Sequence, residues 1–169
     1  MKKLTVIALV TISIFAGNRA NAQAKFGHID MGALFVSMPE YKKADTALAE
    51  YQNGLNQYYA DMVTEFNHKD SLLSSKDTLK YSKTQLQIQR KDLGQLYVKI
   101  QGWNQQAQQM YDAKQNELLS PVQKKAQDAL EAVAKENGYT YVFNRASLAV
   151  APPVSDDLMP LMKKKLGIN

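Results

Sequence analysis

The 169-residue chain has no cysteine. That absence excludes disulfides, thiol nucleophiles, thiolate-bound zinc and iron–sulfur clusters. Histidine is nearly as scarce. His28 and His68 are the two present, too few and too far apart in sequence for a multi-histidine metal site. Gly27 and Gly32 are followed by Ala33-Leu34 rather than Lys-Ser/Thr, so there is no phosphate loop. Neither a G-x-S-x-G elbow nor an H-E-x-x-H pair occurs. The acidic residues are scattered among lysines instead of converging. These absences predict no catalytic residue, no metal ligand and no cofactor. A mean hydropathy of -0.39 is low for a compact enzyme, while 45% apolar residues is too many for a fully disordered chain. The length suits one domain, or one small body with an extended appendage.

The formal net charge of +5 is concentrated at the start. Met1-Lys2-Lys3 forms a basic n-region, Leu4 to Ala16 is an apolar run broken by Gly17-Asn18, and Ala20-Asn21-Ala22 offers a small-residue cleavage site before Gln23. This pattern predicts a secretory signal peptide over residues 1–22; the apolar run is shorter than the roughly 20 residues that span a bilayer. Cleavage would remove Lys2, Lys3 and Arg19. The 21 basic residues become 18 against 16 acidic ones, a net charge of +2. So small a charge argues against nucleic acid as a partner. A cysteine-free exported product carries no thioether-linked lipid and is compatible with a periplasm.

Phe26 to Asp30 is short, apolar and bounded by Gly32, which reads as a strand. A short helical turn over 31–36 ends at Ser37-Met38-Pro39. From Glu40 a helical period takes over. Ala44, Leu48, Tyr51, Leu55, Tyr58, Met62 and Phe66 recur at spacings of three and four, one seam along one helix. The polar stretch Ser71–Thr78 reads as a turn. A second seam follows through Leu86, Leu93, Leu96, Ile100, Trp103, Ala107 and Met110. Two such helices should fold back as an antiparallel hairpin, and a first helix of about 35 residues would extend about 50 Å. A rod of that length must project from a body of this mass and offers no pocket for a carboxylate pair. Gly54, Gly94 and Gly102 each cost about 1 kcal/mol relative to Ala, a cost suited to an arm that bends. Pro121 is expected to interrupt and kink the second helix at the shoulder between arm and body, and Gly138 to end it. Tyr139–Phe143 and Leu148–Val150, either side of Asn144–Ser147, have the pattern of a strand hairpin. Asp156-Asp157 should cap a last helix whose final turns hold Lys163 to Lys165, both suited to the helix dipole.

The two histidines read as a partly buried body residue (His28) and an exposed one (His68), and Trp103 as arm core. Tyr59, Val63, Tyr97 and Tyr111 are expected off the seams, with Gln101, Asn104 and Gln108 among them. Together they form a sparse aromatic-and-amide face for a partner, although isolated surface tyrosines are common. Lys163 to Lys165 read first as a solvated helix end, with weak contact to anionic lipid or lipopolysaccharide as the alternative.

The order of strand, two-helix arm, strand hairpin and short terminal helix resembles the Skp/OmpH family of periplasmic chaperones. The residues carrying the likeness are Phe26-Gly27-His28-Ile29-Asp30, Gly138 to Asn144, and Asp156-Asp157-Leu158. The resemblance implies an α+β, mostly α fold. Three chains' strands would close a small β-barrel body formed by oligomerisation, from which long antiparallel helical hairpins project around a cavity. It implies a homotrimer that holds unfolded outer-membrane proteins without ATP. On this reading residues 23–38 and 119–169 form the trimerisation body and 39–118 the arm. Phe26, Ile29, Tyr141, Val142, Phe143, Leu148 and Val150 are the oligomerisation residues; Tyr59, Val63, Tyr97 and Tyr111 are the client face. The chain departs from the family's strongly cationic character, so no lipopolysaccharide site carries over residue by residue. The alternative class is a periplasmic coiled-coil adaptor that binds one folded partner.

Overall fold

A computed structural model describes residues 24–75, 81–150 and 152–168. The expected signal peptide lies outside the described residues. Strand β1 (Phe26–Ile29) leads into helix α1 (Met31–Ser37), then α2 (Pro39–Ser74) and α3 (Lys83–Glu136). Strand β2 (Tyr141–Asn144), two single 3-10 turns and helix α4 (Met159–Leu166) complete the chain.

Local chemistry sets these boundaries. The Asp30 side chain accepts the Ala33 N–H at 2.9 Å and starts α1. Met38 is extended, as a residue before proline must be, and Pro39 opens α2 where its missing N–H costs nothing. Ser82 and Gln85 form a reciprocal capping box at the start of α3, with bonds of 3.2 and 2.9 Å. Gly138, at φ +70, takes the left-handed conformation just past the end of α3.

At 36 and 54 residues, α2 and α3 are about 54 and 81 Å long. They run antiparallel. Glu40 meets Lys125, the Tyr58 ring lies 4.8 Å from Trp103, and Phe66 lies 5.9 Å from Tyr97. Two expectations about these helices are corrected. Helix α2 continues through Ser71–Ser74, where a turn is expected, and residues 76–78 of that stretch lie outside the described residues. And α3 is not interrupted at Pro121: one helix passes through it. Losing a single backbone bond does not break a helix held by its neighbours on both sides.

The strands differ more. β2 does not turn back on Leu148–Val150. It pairs in parallel with β1, in the register Phe26↔Tyr141 to Ile29↔Asn144. The Lys25 carbonyl accepts the Thr140 N–H at 2.7 Å as the pair begins. A parallel pair needs a long crossover, and the whole hairpin supplies it. Residues 144–147 lack the Asn-Gly type of turn that returns a strand on itself. Instead Asn144 accepts the Ala146 N–H at 3.3 Å, and Leu148 donates to the Arg145 carbonyl at 3.1 Å. These bonds wind Arg145–Ser147 into a 3-10 turn, and Leu148–Val150 leaves without pairing.

Two apolar clusters are separate in space and sequence. One joins Ile29, Leu34, Met38, Val122, Ala126, Ala129, Val133, Leu158 and Met162 at the strand end of the hairpin. The other, midway along the hairpin, joins Leu55, Met62 and Trp103.

Candidate interaction surfaces

Strand alternation divides β1 and β2 into two faces. Gly27, Ile29 and Val142 lie against the strand-end cluster. Gly27 is there because the Tyr139 ring and the Leu158 side chain close directly over it; an added Cβ would sit 2.8 Å from the Tyr139 ring. Phe26, Tyr141 and Phe143 share the opposite face and stack, with ring centroids 5.7 Å apart for Phe26–Tyr141 and 6.2 Å for Phe26–Phe143. They are 52%, 57% and 45% exposed. Val150 stands beside this face at 80% exposure. Leu148 and Val150 join Phe26 and Phe143 around a cleft of about 370 Å³, whose floor includes His28.

His28 is the buried polar residue of this end, 3% exposed. Its Nε2 lies 3.0 Å from the Pro153 carbonyl, and its backbone carbonyl accepts the Leu158 N–H at 2.9 Å. It therefore pins residues 153–158 beside β1, where Asp157 makes an isolated parallel bridge. Asp157 accepts the Met159 N–H at 2.8 Å, so it serves the start of α4 as expected, while Leu158 takes the cap position itself. Among the described residues β2 pairs with β1 alone, so its other edge carries unpaired backbone groups.

Along the hairpin, the four residues expected off the seams divide. Tyr59 and Tyr97 are exposed, Tyr97 with one side of its ring against Phe66. Val63 is half-buried. Tyr111 does not stand off the seam: it packs against the Leu55–Met62–Trp103 cluster, and Met110 is the exposed neighbour. The cause is helical pitch. A strict seven-residue pattern drifts around a 3.6-residue helix, and after Ala107 the inward position moves four residues on instead of three. Trp103 is 5% exposed, as a core residue should be. His68 is exposed near the far end.

A second cleft, of about 490 Å³, lies between α2 and α3 near the strand end. Ala44, Ala47, Leu118, Pro121 and Val122 line it. Glu40, Lys43 and Lys125 form its rim. The hydrogen bond from the Lys125 ammonium holds the Glu40 carboxyl below the usual glutamate range. On α4, Lys165 of the three-lysine run pairs with Glu136 at 2.5 Å. Among the described residues no helix is long and apolar enough to cross a membrane.

The model of the family described as Outer membrane protein (OmpH-like) matches residues 25–166. Among solved structures, an OmpH-like protein from Caulobacter crescentus CB15, assigned as an outer membrane chaperone, superposes with a TM-score of 0.69 at 18% identity. The alignment covers 86% of this chain and 85% of that one. At such identity the likeness is one of fold. No curated protein matches the chain in sequence.

Proposed function

The chain belongs to the OmpH-like family, and from that membership we propose that it is a periplasmic, ATP-independent holdase for unfolded outer-membrane β-barrel proteins. The observation that carries this reading is the family match, which runs through both the hairpin and the packed strand end. The chaperone assignment of the Caulobacter protein of like fold supports it. The role is binding rather than catalysis.

The working form is a homotrimer. Residues 23–38 and 119–169 make its body and 39–118 its arm, a division supported by the two separate apolar clusters. Two features of the strand end support assembly there. An exposed aromatic face of Phe26, Tyr141 and Phe143 is the kind of patch that marks an interaction site. The unpaired edge of β2 is a template for a neighbouring strand, which a closed assembly would cover. Ile29 and Val142 support that face from beneath, and Leu148 and Val150 border it.

The arms hold clients by many weak contacts, with Tyr59, Tyr97 and the edge of Val63 as the aromatic and apolar points among amides. Such a surface suits clients that differ in sequence, because specificity requires fixed and mutually exclusive contacts. Tyr111 serves it from below by holding the hairpin together. Any anionic lipid or lipopolysaccharide contact at Lys163 and Lys164 is secondary.

The test is aggregation of two unrelated outer-membrane proteins diluted from urea, followed by light scattering. The mature protein should suppress both at stoichiometric amounts, and replacing Tyr59, Val63 and Tyr97 together by Ala should weaken retention without changing helicity. If neither client is protected, the holdase reading fails and an adaptor for one folded partner takes its place.

A further inference from the structure

We propose that the middle of the hairpin binds an extended polypeptide by its main chain, through the side-chain amides of Gln101, Asn104 and Gln105. Such a site deepens the holdase reading and rests on it for the identity of the client.

The hairpin changes character midway. Helix α2 has no charged residue from Tyr51 to Ala60, and α3 has none from Ile100 to Tyr111. The Tyr58–Trp103 contact and the shared Leu55–Met62–Trp103 cluster set these two stretches side by side. Toward either end the helices carry charged pairs, Glu65 with Lys69 on α2 and Lys124 with Asp128 on α3. Pairs at that spacing each favour an exposed helix by about 0.2–0.5 kcal/mol. Among the described residues Gln101, Asn104 and Gln105 have no side-chain hydrogen-bond partner, while Gln108 donates to Asp112 at 2.8 Å. Glutamine and asparagine are no better helix formers than lysine or glutamate. Helix stability therefore does not account for an amide-rich, charge-free middle.

Spacing puts the amides on one face. Gln101, Asn104, Gln105 and Gln108 recur at i, i+3, i+4 and i+7, and all four are exposed. Tyr97 stands one turn before them. Its contact with Phe66 brings that side of α3 beside the side of α2 that holds Tyr59, seven residues before Phe66. The chemistry of the face matches one partner. No charge within the stretch selects an ion or a phosphate. Each side-chain amide offers N–H donors and a carbonyl acceptor, the groups that a peptide unit also carries. It can meet a main chain running in either direction, whatever the side chains. Folded proteins satisfy their peptide groups internally, so a chain with main-chain groups to spare is an unfolded one. An extended chain rises about 3.3 Å per residue, so residues 100–111, about 18 Å of helix, run alongside about five of its peptide units. Exposed Tyr59 and Tyr97 add apolar contact beside them.

The experiment uses the mature full-length protein with labelled side-chain amides. The probes are a short threonine-rich strand peptide and its analogue in which alternate backbone N–H groups are replaced by ester oxygens, the side chains being identical. The Gln101, Asn104 and Gln105 amide resonances should shift with the peptide, which should bind about fivefold more tightly than the ester, the scale of one hydrogen bond. Raising the salt from about 0.1 to about 1 M shortens the Debye length from about 10 to about 3 Å and should leave that affinity unchanged. Replacing the three residues together by Ala, the best helix former, should erase the preference for peptide over ester while circular dichroism and solution mass stay the same. Equal binding of peptide and ester by the wild type, or an Ala variant that keeps the preference, overturns the main-chain site. Resonances that move with protein concentration and not with peptide overturn it too, and give the face to the hairpin of a second copy. In each of these cases a protein that still protects unfolded barrels from aggregation leaves the holdase reading standing. If the ester preference holds and no barrel is protected, the main-chain site stands and the holdase reading falls with the client identity.

Discussion

The glycines show that one residue type serves opposite ends in this chain. At Gly27 the Tyr139 ring and Leu158 leave no space for a Cβ. Both neighbours belong to the strand-end packing and cannot withdraw. Gly27→Ala should therefore destabilise the protein by about 1–3 kcal/mol, the usual cost of overpacking. Nothing lies within 4 Å of a Cβ built at Gly54, Gly94 or Gly102. These three sit in continuous helix and meet no steric demand for glycine. Changing each to Ala should raise stability by about 0.5–1 kcal/mol. Thermal unfolding followed by circular dichroism separates the two classes by the sign of the shift. If the holdase reading is right, the same three substitutions stiffen the arm and should narrow the range of client sizes retained.

At the scale of elements, the helices were legible and the strand pairing was not. Helical periodicity is local, and the α2 seam through Ala44, Leu48, Leu55 and Met62 is buried where the spacing put it. The α3 seam held as far as Ala107 and then slipped, because heptad spacing and helical pitch diverge over so long a helix. Tyr111→Asp should therefore loosen the hairpin and lower the melting temperature clearly, whereas Met110→Asp one position away should change it little; equal effects would restore the original seam. The pairing of β2 has a different origin. Tyr139 to Phe143 carries the composition of a strand, but composition does not name a partner. The partner, β1, lies more than a hundred residues away across the hairpin, and the next apolar run, Leu148–Val150, was merely nearer in sequence. The clue that was present was negative: residues 144–147 contain none of the turn dipeptides a tight hairpin demands. The exposed aromatic face could be listed residue by residue from the sequence, but its stacking followed only from the parallel register.

For the whole molecule, the two faces of β2 give opposite mutational expectations. Val142 is half-buried against the strand-end cluster, so Val142→Asp sets a charge at the margin of that core and should lower the stability of that end by about 1–3 kcal/mol, a sizeable part of a total of about 5–15 kcal/mol. Phe143 is on the exposed face. Phe143→Asp should leave each chain folded by circular dichroism while lowering the mass in light scattering to that of a monomer. A Phe143→Asp protein that stays oligomeric would remove the aromatic face from the assembly. The same separation of roles extends to the hairpin itself. Ile29, Leu34, Met38, Val122, Ala126, Ala129, Val133, Leu158 and Met162 form the strand-end cluster, and every one lies outside residues 40–118. The cluster midway along the hairpin lies wholly inside that range. Cutting the arm away therefore removes one core and leaves the other with all its buried members, at the cost of Tyr41 at its margin and the Glu40–Lys125 pair at the root. Replacing 40–118 by a short linker should give a protein that still unfolds cooperatively and still assembles, but retains no client. Light scattering for mass and the urea-dilution assay for retention read the two outcomes independently. A monomeric product would mean that the arms hold the assembly together, and a product that still protects clients would move the binding surface onto the body.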